Sequence, residues 1–171
     1  LEVDELSSLR GLVTPEETKY KLAEIYSSFE VQNDCEPEEL KRAAVTAVAL
    51  DKLIHKYQLG SLAYYHKGTG NPENENTATS VILGNSILTG KNIPVAGEYE
   101  IKNAQAMKIM DSFGAGGSFT EYYAMDYKDD VVLMGHDGPC HPKIAEGKIK
   151  VKPLKVYHGK IGKGLSVEMS V

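Results

Sequence analysis

The 171-residue chain has no tryptophan, three phenylalanines and only two cysteines, Cys35 and Cys140. Two cysteines without a C-x-x-C spacing are too few for a disulfide framework, so both are expected as reduced thiols. No stretch approaches the ~20 apolar residues of a membrane-spanning helix. The N-terminus, Leu1-Glu2-Val3-Asp4-Glu5, has neither the positive charge nor the apolar core of a signal peptide. A cytoplasmic protein with no membrane partner is expected. Basic residues number 19 against 24 acids, for a net charge of −5, and they are dispersed rather than gathered in a stripe. That distribution argues against nucleic acid as a partner. The first residue is not Met, so the ends are expected to be cuts in a longer protein.

What the chain does have is 42% hydrophobic residues, enough for one domain or for a domain with an attached lobe. Thr14-Pro15-Glu16-Glu17 offers an N-cap, a proline at the first helical position and acids in the first turn, which predicts a helix over about 15–29. Glu36-Pro37-Glu38-Glu39 opens a second. Apolar residues at 40, 43, 44, 47, 48, 54 and 57 line one helical face, so this helix should run to about Tyr57, with Gly60 ending it. Leu62-Ala63-Tyr64-Tyr65 reads as a buried strand, and the polar loop His66-Lys67-Gly68-Thr69-Gly70-Asn71-Pro72 follows it. A helix over about 76–88, stopped by Gly90, a short strand at Ile93–Ala96 and a helix over 101–112 come next. Asn74 or Asn76 is the expected N-cap for the first of these.

Helices alternating with strands predict a largely parallel sheet, whose ligands collect beyond the carboxyl ends of the strands. After Phe113 the helical periodicity stops. Gly114, Gly116 and Gly117 form a hinge, and short β-type runs at 131–134, 149–151, 154–157 and 165–171 follow. The expected fold is therefore α/β: a parallel-sheet lobe with flanking helices over 1–113, then a partial β-barrel-like lobe over 114–171.

Three residues carry the chemistry: Glu98 in Pro94-Val95-Ala96-Gly97-Glu98, Glu121 in Gly116-Gly117-Ser118-Phe119-Thr120-Glu121, and His136 in Leu133-Met134-Gly135-His136-Asp137. Two carboxylates and one imidazole form an oxygen-rich ligand set that suits a divalent ion such as Mn²⁺ better than structural zinc. Each has an ordinary reading too: a loop acid, an outward-facing strand residue and a structural histidine. Convergence at the strand ends is what makes them a candidate site. Gly68-Thr69-Gly70 lacks the third glycine and the following helix of a dinucleotide cradle. Cys140 and His141 lack a second cysteine pair for zinc, His55 is read as surface or packing, and His158 is left open.

These residues resemble the L-arabinose isomerase family, in the superfamily shared with L-fucose isomerase. The resemblance rests on Gly97-Glu98 followed by the Lys102–Met110 helix, on Gly116-Gly117-Ser118-Phe119-Thr120-Glu121-Tyr122 and on Val131-Val132-Leu133-Met134-Gly135-His136. It covers roughly residues 60–165. It implies that Glu98, Glu121 and His136 bind Mn²⁺, that the two glutamates are the acid and base, and that a fourth ligand, a histidine, lies beyond this segment. It further implies a small sugar as substrate, a homo-oligomer for the full-length protein, and a match to the central domain and the start of the C-terminal one. Gly97-Glu98-Tyr99-Glu100 stands where the family commonly has Gly-Glu-Gly-Asp. Asp137-Gly138-Pro139 stands where it has an apolar stretch, so the identity of the sugar is left open. A non-catalytic sugar-binding or regulatory module, and a metal-dependent hydrolase or lyase, are the rival classes.

Overall fold

The structure is a computed structural model that describes residues 2–65, 70–154, 156–157, 160–161 and 164–171, with backbone alone for 156, 157, 160 and 161. It is mixed α/β. In chain order the elements are α1 (Val3–Arg10), α2 (Pro15–Ser28), β1 (Glu30–Val31), α3 (Pro37–Tyr57), β2 (Leu62–Ala63), α4 (Pro72–Ala78), α5 (Ile82–Gly90), β3 (Val95–Ala96) and α6 (Ile101–Ser112). Then follow β4 (Glu121–Asp126), β5 (Val131–Gly135), a single 3₁₀ turn (Pro142–Ile144), β6 (Lys150–Pro153), β7 (Val156–Tyr157), β8 (Lys160–Ile161) and β9 (Leu165–Glu168).

The described strands form small sheets. β2 and β3 pair in parallel, with Leu62 opposite Val95 and Ala63 opposite Ala96. β1 pairs in parallel with β6, which pairs antiparallel with β9, while β4–β5 and β7–β8 are antiparallel hairpins. Parallel pairing is thus present but split between two sheets, and three of the five described pairings are antiparallel, so the largely parallel single sheet expected from the sequence does not form. Residues 149, 151 and 165, from the β-rich end of the sequence, share one core with Ile25, Phe29, Leu40, Ala43, Leu83 and Ile87. A second core gathers Leu6, Ala49, Leu50, Leu53, Ile54, Val81, Leu88 and Val95.

Local chemistry explains the helix boundaries. Thr14 caps α2 as expected: its Oγ1 accepts from the Glu17 amide at 3.2 Å, and its own amide donates to Glu17 Oε2 at 2.8 Å. α3 ends on Gln58 in the left-handed conformation (φ 52°), two residues before Gly60. The helix expected over 76–88 is instead two helices. α4 begins earlier, with Asn71 as N-cap accepting from the Glu73 amide at 2.9 Å and Pro72 at the first position. At its end Arg42 Nη1 donates to the Asn76 carbonyl (2.7 Å), an acceptor that a continued helix would use, and to the Thr79 hydroxyl (2.8 Å). The Ser80 hydroxyl also turns back to the Asn76 carbonyl at 2.8 Å. Asn74, expected as a cap, is buried and ties α4 to α1: its Nδ2 donates to Asp4 Oδ1 and its Oδ1 accepts from Ser7 Oγ. α1 itself was not foreseen in the sequence.

α3 and α5 hold this arrangement together. Residues 82–89 of α5 are all buried, as befits a helix surrounded by other elements. It approaches α3 so closely that a Cβ on Gly84 would lie 2.7 Å from Leu50 Cδ1 and 2.9 Å from the Ala47 Cα. Only a residue without a side chain fits there. On the other side of α3, Lys21 of α2 is 6% exposed and lies 2.6 Å from both Glu24 and Asp51. Burial pulls its pKa down, but the Asp51 and Glu24 carboxylates outweigh that effect and raise it. The ammonium is thus a charged pin between α2 and α3.

Replacing Gly84 by alanine should lower stability by about 1–3 kcal/mol, the usual cost of overpacking a tight core. Equilibrium denaturation in guanidinium checks this, and an unchanged midpoint would mean that the two helices separate at little cost.

Candidate metal and catalytic site

Glu98 is placed by the turn that follows β3. Glu98 and Tyr99 both have positive φ, 55° and 58°, and the Glu100 amide closes the turn on the Gly97 carbonyl at 2.8 Å. Positive φ at both central residues is the signature of a type I′ turn, which favours Asn and Gly; Glu-Tyr adopts it at a cost of about 1–3 kcal/mol per residue. Surrounding bonds hold it there. The Tyr99 amide donates to the Tyr64 carbonyl at 3.0 Å, and the Val95 amide donates to Thr89 Oγ1 of α5 at 3.2 Å.

Glu121 and His136 both come from the open end of the β4–β5 hairpin. Glu121 opens β4 directly opposite Gly135, so its register sets it one residue from His136. A bulge between Tyr122 and Ala124 shifts the pairing just after Glu121, a device that commonly re-aims side chains near sites. Past His136 the chain is anchored to α5, because the buried Cys140 amide donates to Ser86 Oγ at 3.0 Å. Two hydroxyls of one helix, Thr89 and Ser86, therefore hold the backbone stretches that present Glu98 and His136.

The imidazole of His136 is tightly framed. It meets the Phe119 ring edge-on, with centroids 4.6 Å apart and planes at 79°. A Cβ on Gly97 would lie 3.0 Å from Nε2, and one on Gly138 would lie 2.3 Å from Cε1. The contact between Nδ1 and the Pro139 carbonyl, at 3.4 Å, is long. A carbonyl only accepts, so this contact suits the tautomer with the proton on Nδ1, while Nε2 lies between the Gly97 and Gly138 backbones, 3.0 and 2.8 Å from where their Cβ atoms would be. Burial lowers the pKa of His136, against opposing pulls from the Pro139 carbonyl and from the Glu121, Glu98 and Asp137 carboxylates. The ring is therefore neutral at pH 7, as a metal ligand must be.

A neutral imidazole and two carboxylates are the donor types that a hard or borderline divalent ion takes. Among the described residues no group of three or more His, Cys, Asp or Glu side chains is gathered tightly enough to hold a metal ion. Glu98 is half-buried and Glu121 is exposed. His136 lines a cleft of about 520 Å³ between the hairpin and β9, and neither glutamate is among its lining residues.

Other candidates are placed as follows. His55 is exposed on α3. His158 and loop residues 66–69 lie outside the described residues. Both cysteines are free and buried, and burial pushes the Cys140 thiol up to about 11, so it stays protonated and inert. His141 is 2% exposed, with Nδ1 accepting from the Lys143 amide at 3.2 Å and Nε2 3.5 Å from Asp111 Oδ1. That Asp–His pair was missed in the sequence, since 30 positions separate its members. The available signal was Asp111 itself: an acid in the last turn of α6 opposes the helix dipole and calls for a partner.

No protein-family model matches the chain, and no curated protein matches it.

The depressed pKa of His136 has a consequence for stability. Between the ordinary histidine value of 6.5 and the lower folded value, the unfolded chain binds the proton first. Stability is therefore complete above about pH 6.5 and is lost as the pH falls through that window. Urea midpoints at pH 7.5 and 5.5 should differ more for the wild type than for His136→Gln; equal differences would remove His136 from the titration.

Proposed function

We propose that this chain belongs to a metal-dependent aldose–ketose isomerase similar to the L-arabinose isomerase family, with Glu98, Glu121 and His136 as Mn²⁺ ligands and the two glutamates as acid and base. The observation that carries this reading is the framing of His136: a neutral imidazole packed between the Gly97 and Gly138 backbones, under the electrostatic influence of the Glu121 and Glu98 carboxylates. In this reading residues 1–113 form the α/β lobe, and residues 114–171 begin a partial β-barrel-like lobe. The protein acts on a small sugar in the cytoplasm, as a homo-oligomer when full-length.

Bound at these residues, the divalent ion supplies polarisation of the sugar carbonyl. The chain does the proton work. One glutamate takes the proton from C2, leaving its electron pair to form the C1–C2 double bond of an enediol. The same proton or an exchanged one returns to C1, while the second glutamate moves a proton between O1 and O2. Atoms and charge balance, so the product has the mass of the substrate. Glu98 stands on a strained, half-buried turn that keeps it in one place, which favours preorganisation. Glu121 stands on a hairpin whose apolar residues are open on both faces, with Tyr122 67%, Val132 49% and Leu133 60% exposed. The proposal therefore includes cover for that hairpin in the full-length protein, from the remainder of the β lobe or a neighbouring subunit.

Two measurements test the reading. Calorimetry should show weak Mn²⁺ binding by this chain, because its candidate ligands are not gathered tightly among the described residues, and binding at least tenfold weaker for Glu98→Gln; equal binding by both would count against Glu98 as a ligand. Incubated with Mn²⁺ and a panel of aldopentoses, aldohexoses and 6-deoxyaldoses, this chain should give no ketose above background, while the full-length protein converts at least one sugar. If neither produces ketose but sugar still binds, unaffected by His136→Gln, the chain is a sugar-binding module instead.

A further inference from the structure

The β4–β5 hairpin joins the rest of the molecule through two stems. The entry stem runs from the end of α6 through Gly114 and Gly116, both with positive φ (73° and 69°), to the buried Phe119. The exit stem runs from His136 to Cys140, and His141 follows it directly. The His141 imidazole meets the entry stem at two points. Its Nε2 lies 3.5 Å from Asp111 Oδ1, in the last turn of α6, and 3.2 Å from where a Cβ on Gly116 would stand. The exit stem is itself seated on α5: the Cys140 amide donates to Ser86 Oγ, and Pro142 lies 3.3 Å from where a Cβ on Gly90 would be.

The Asp111 and His141 side chains are 5% and 2% exposed. Asp111 Oδ2 and His141 Nε2 are sealed from water with no hydrogen-bond partner among the described residues. His141 is also the only basic group within ion-pair reach of Asp111 among them. Removing one member of such a pair strands the other in the interior, which is costly. The second ring nitrogen selects the tautomer. A backbone N–H only donates, so Nδ1, which takes the Lys143 amide at 3.2 Å, is unprotonated and the ring proton sits on Nε2, the atom beside the carboxylate.

We propose that Asp111 and His141 are positioning residues: a neutral imidazole protonated on Nε2, held by the Asp111 carboxylate, clamps the Gly114–Gly117 turn and so ties the entry stem of the hairpin to its exit stem. Gly116 is the residue that lets the backbone lie against Nε2, with a positive φ and no Cβ. The entry stem leads to Phe119, whose ring meets that of His136 edge-on, so the clamp sets one wall of the candidate site. That consequence for catalysis rests on the metal-site reading above; the clamp itself does not.

Substitutions at His141 separate its two nitrogens. Glutamine keeps a donor near the place of Nε2 and loses the Nδ1 acceptor, whereas asparagine keeps an acceptor near the place of Nδ1 and does not reach Asp111. The Ala115 amide, which donates to the Met110 carbonyl at 3.0 Å, reports the state of the turn by hydrogen exchange. Its exchange should be about tenfold faster in Asp111→Leu and His141→Asn than in the wild type, and close to wild type in Asp111→Asn and His141→Gln, with the amides of α3 unchanged. The ¹⁵N shifts of His141 should show a proton on Nε2 alone at pH 7, and the NOE between the Phe119 and His136 rings should weaken in Asp111→Leu. Equal exchange in Asp111→Leu and the wild type, equal loss of protection in Asp111→Asn and Asp111→Leu, or a proton on Nδ1 would each overturn the proposal. If Asp111→Leu does not fold, His141→Gln against His141→Asn decides, and equal exchange in those two overturns it. No readout here needs Mn²⁺ or a sugar, so failure of the clamp is distinguishable from failure of the metal-site reading.

Discussion

The close approach of α5 to α3 is the constraint on which the rest of the molecule depends. With Gly84 against Ala47 and Leu50, α5 sits deep enough to serve both cores: Leu83 and Ile87 pack with Ile25, Leu40 and Leu165, while Leu88 packs with Leu53 and Val95. Side-chain hydroxyls on the same helix then reach outward. Thr89 takes the amide of Val95, at the start of the strand that leads into the Gly97-Glu98 turn, and Ser86 takes the amide of Cys140, four residues after His136. One buried helix thus fixes the backbone on both sides of the candidate site. Movement of α5 would displace Glu98 and His136 together.

The parts of the fold legible in the sequence are those written in local chemistry. The Thr14-Pro15-Glu16-Glu17 start gave α2, and the 3–4 spacing of apolar residues from Leu40 onward gave α3 to its last residue, Tyr57. The strand runs at 131–134, 149–151 and 165–171 were visible for the same reason. What was hidden depends on partners far away in the chain. Arg42 reaches the Asn76 carbonyl where α4 ends, and Asn74 is buried against α1. The pairing of Val31 with Val151 joins residues 120 positions apart, which no local pattern announces.

The candidate site divides along the same line. Glu98, Glu121 and His136 stood out through their flanking glycines, and the structure gives those glycines physical reasons: the Gly97 and Gly138 backbones press on the imidazole, where a Cβ would collide. The tautomer of His136 was not legible, because it depends on the Pro139 carbonyl across a turn. Nor was the contrast between the two glutamates. Glu98 rides on a strained turn tied to Tyr64, whereas Glu121 rides on a hairpin exposed on both faces. An isolated hairpin is only marginally stable in water, so the reach of Glu121 toward His136 depends on what covers β4 and β5.

Paramagnetic line broadening by substoichiometric Mn²⁺, read residue by residue in the amide spectrum, tests the convergence of the three ligands most directly. The account predicts that the amides of Gly97–Tyr99, Thr120–Tyr122 and His136–Gly138 broaden together and at the same metal concentration. Broadening confined to the acidic turn at Asp126, Asp129 and Asp130, with the Glu98 and His136 segments untouched, would contradict it.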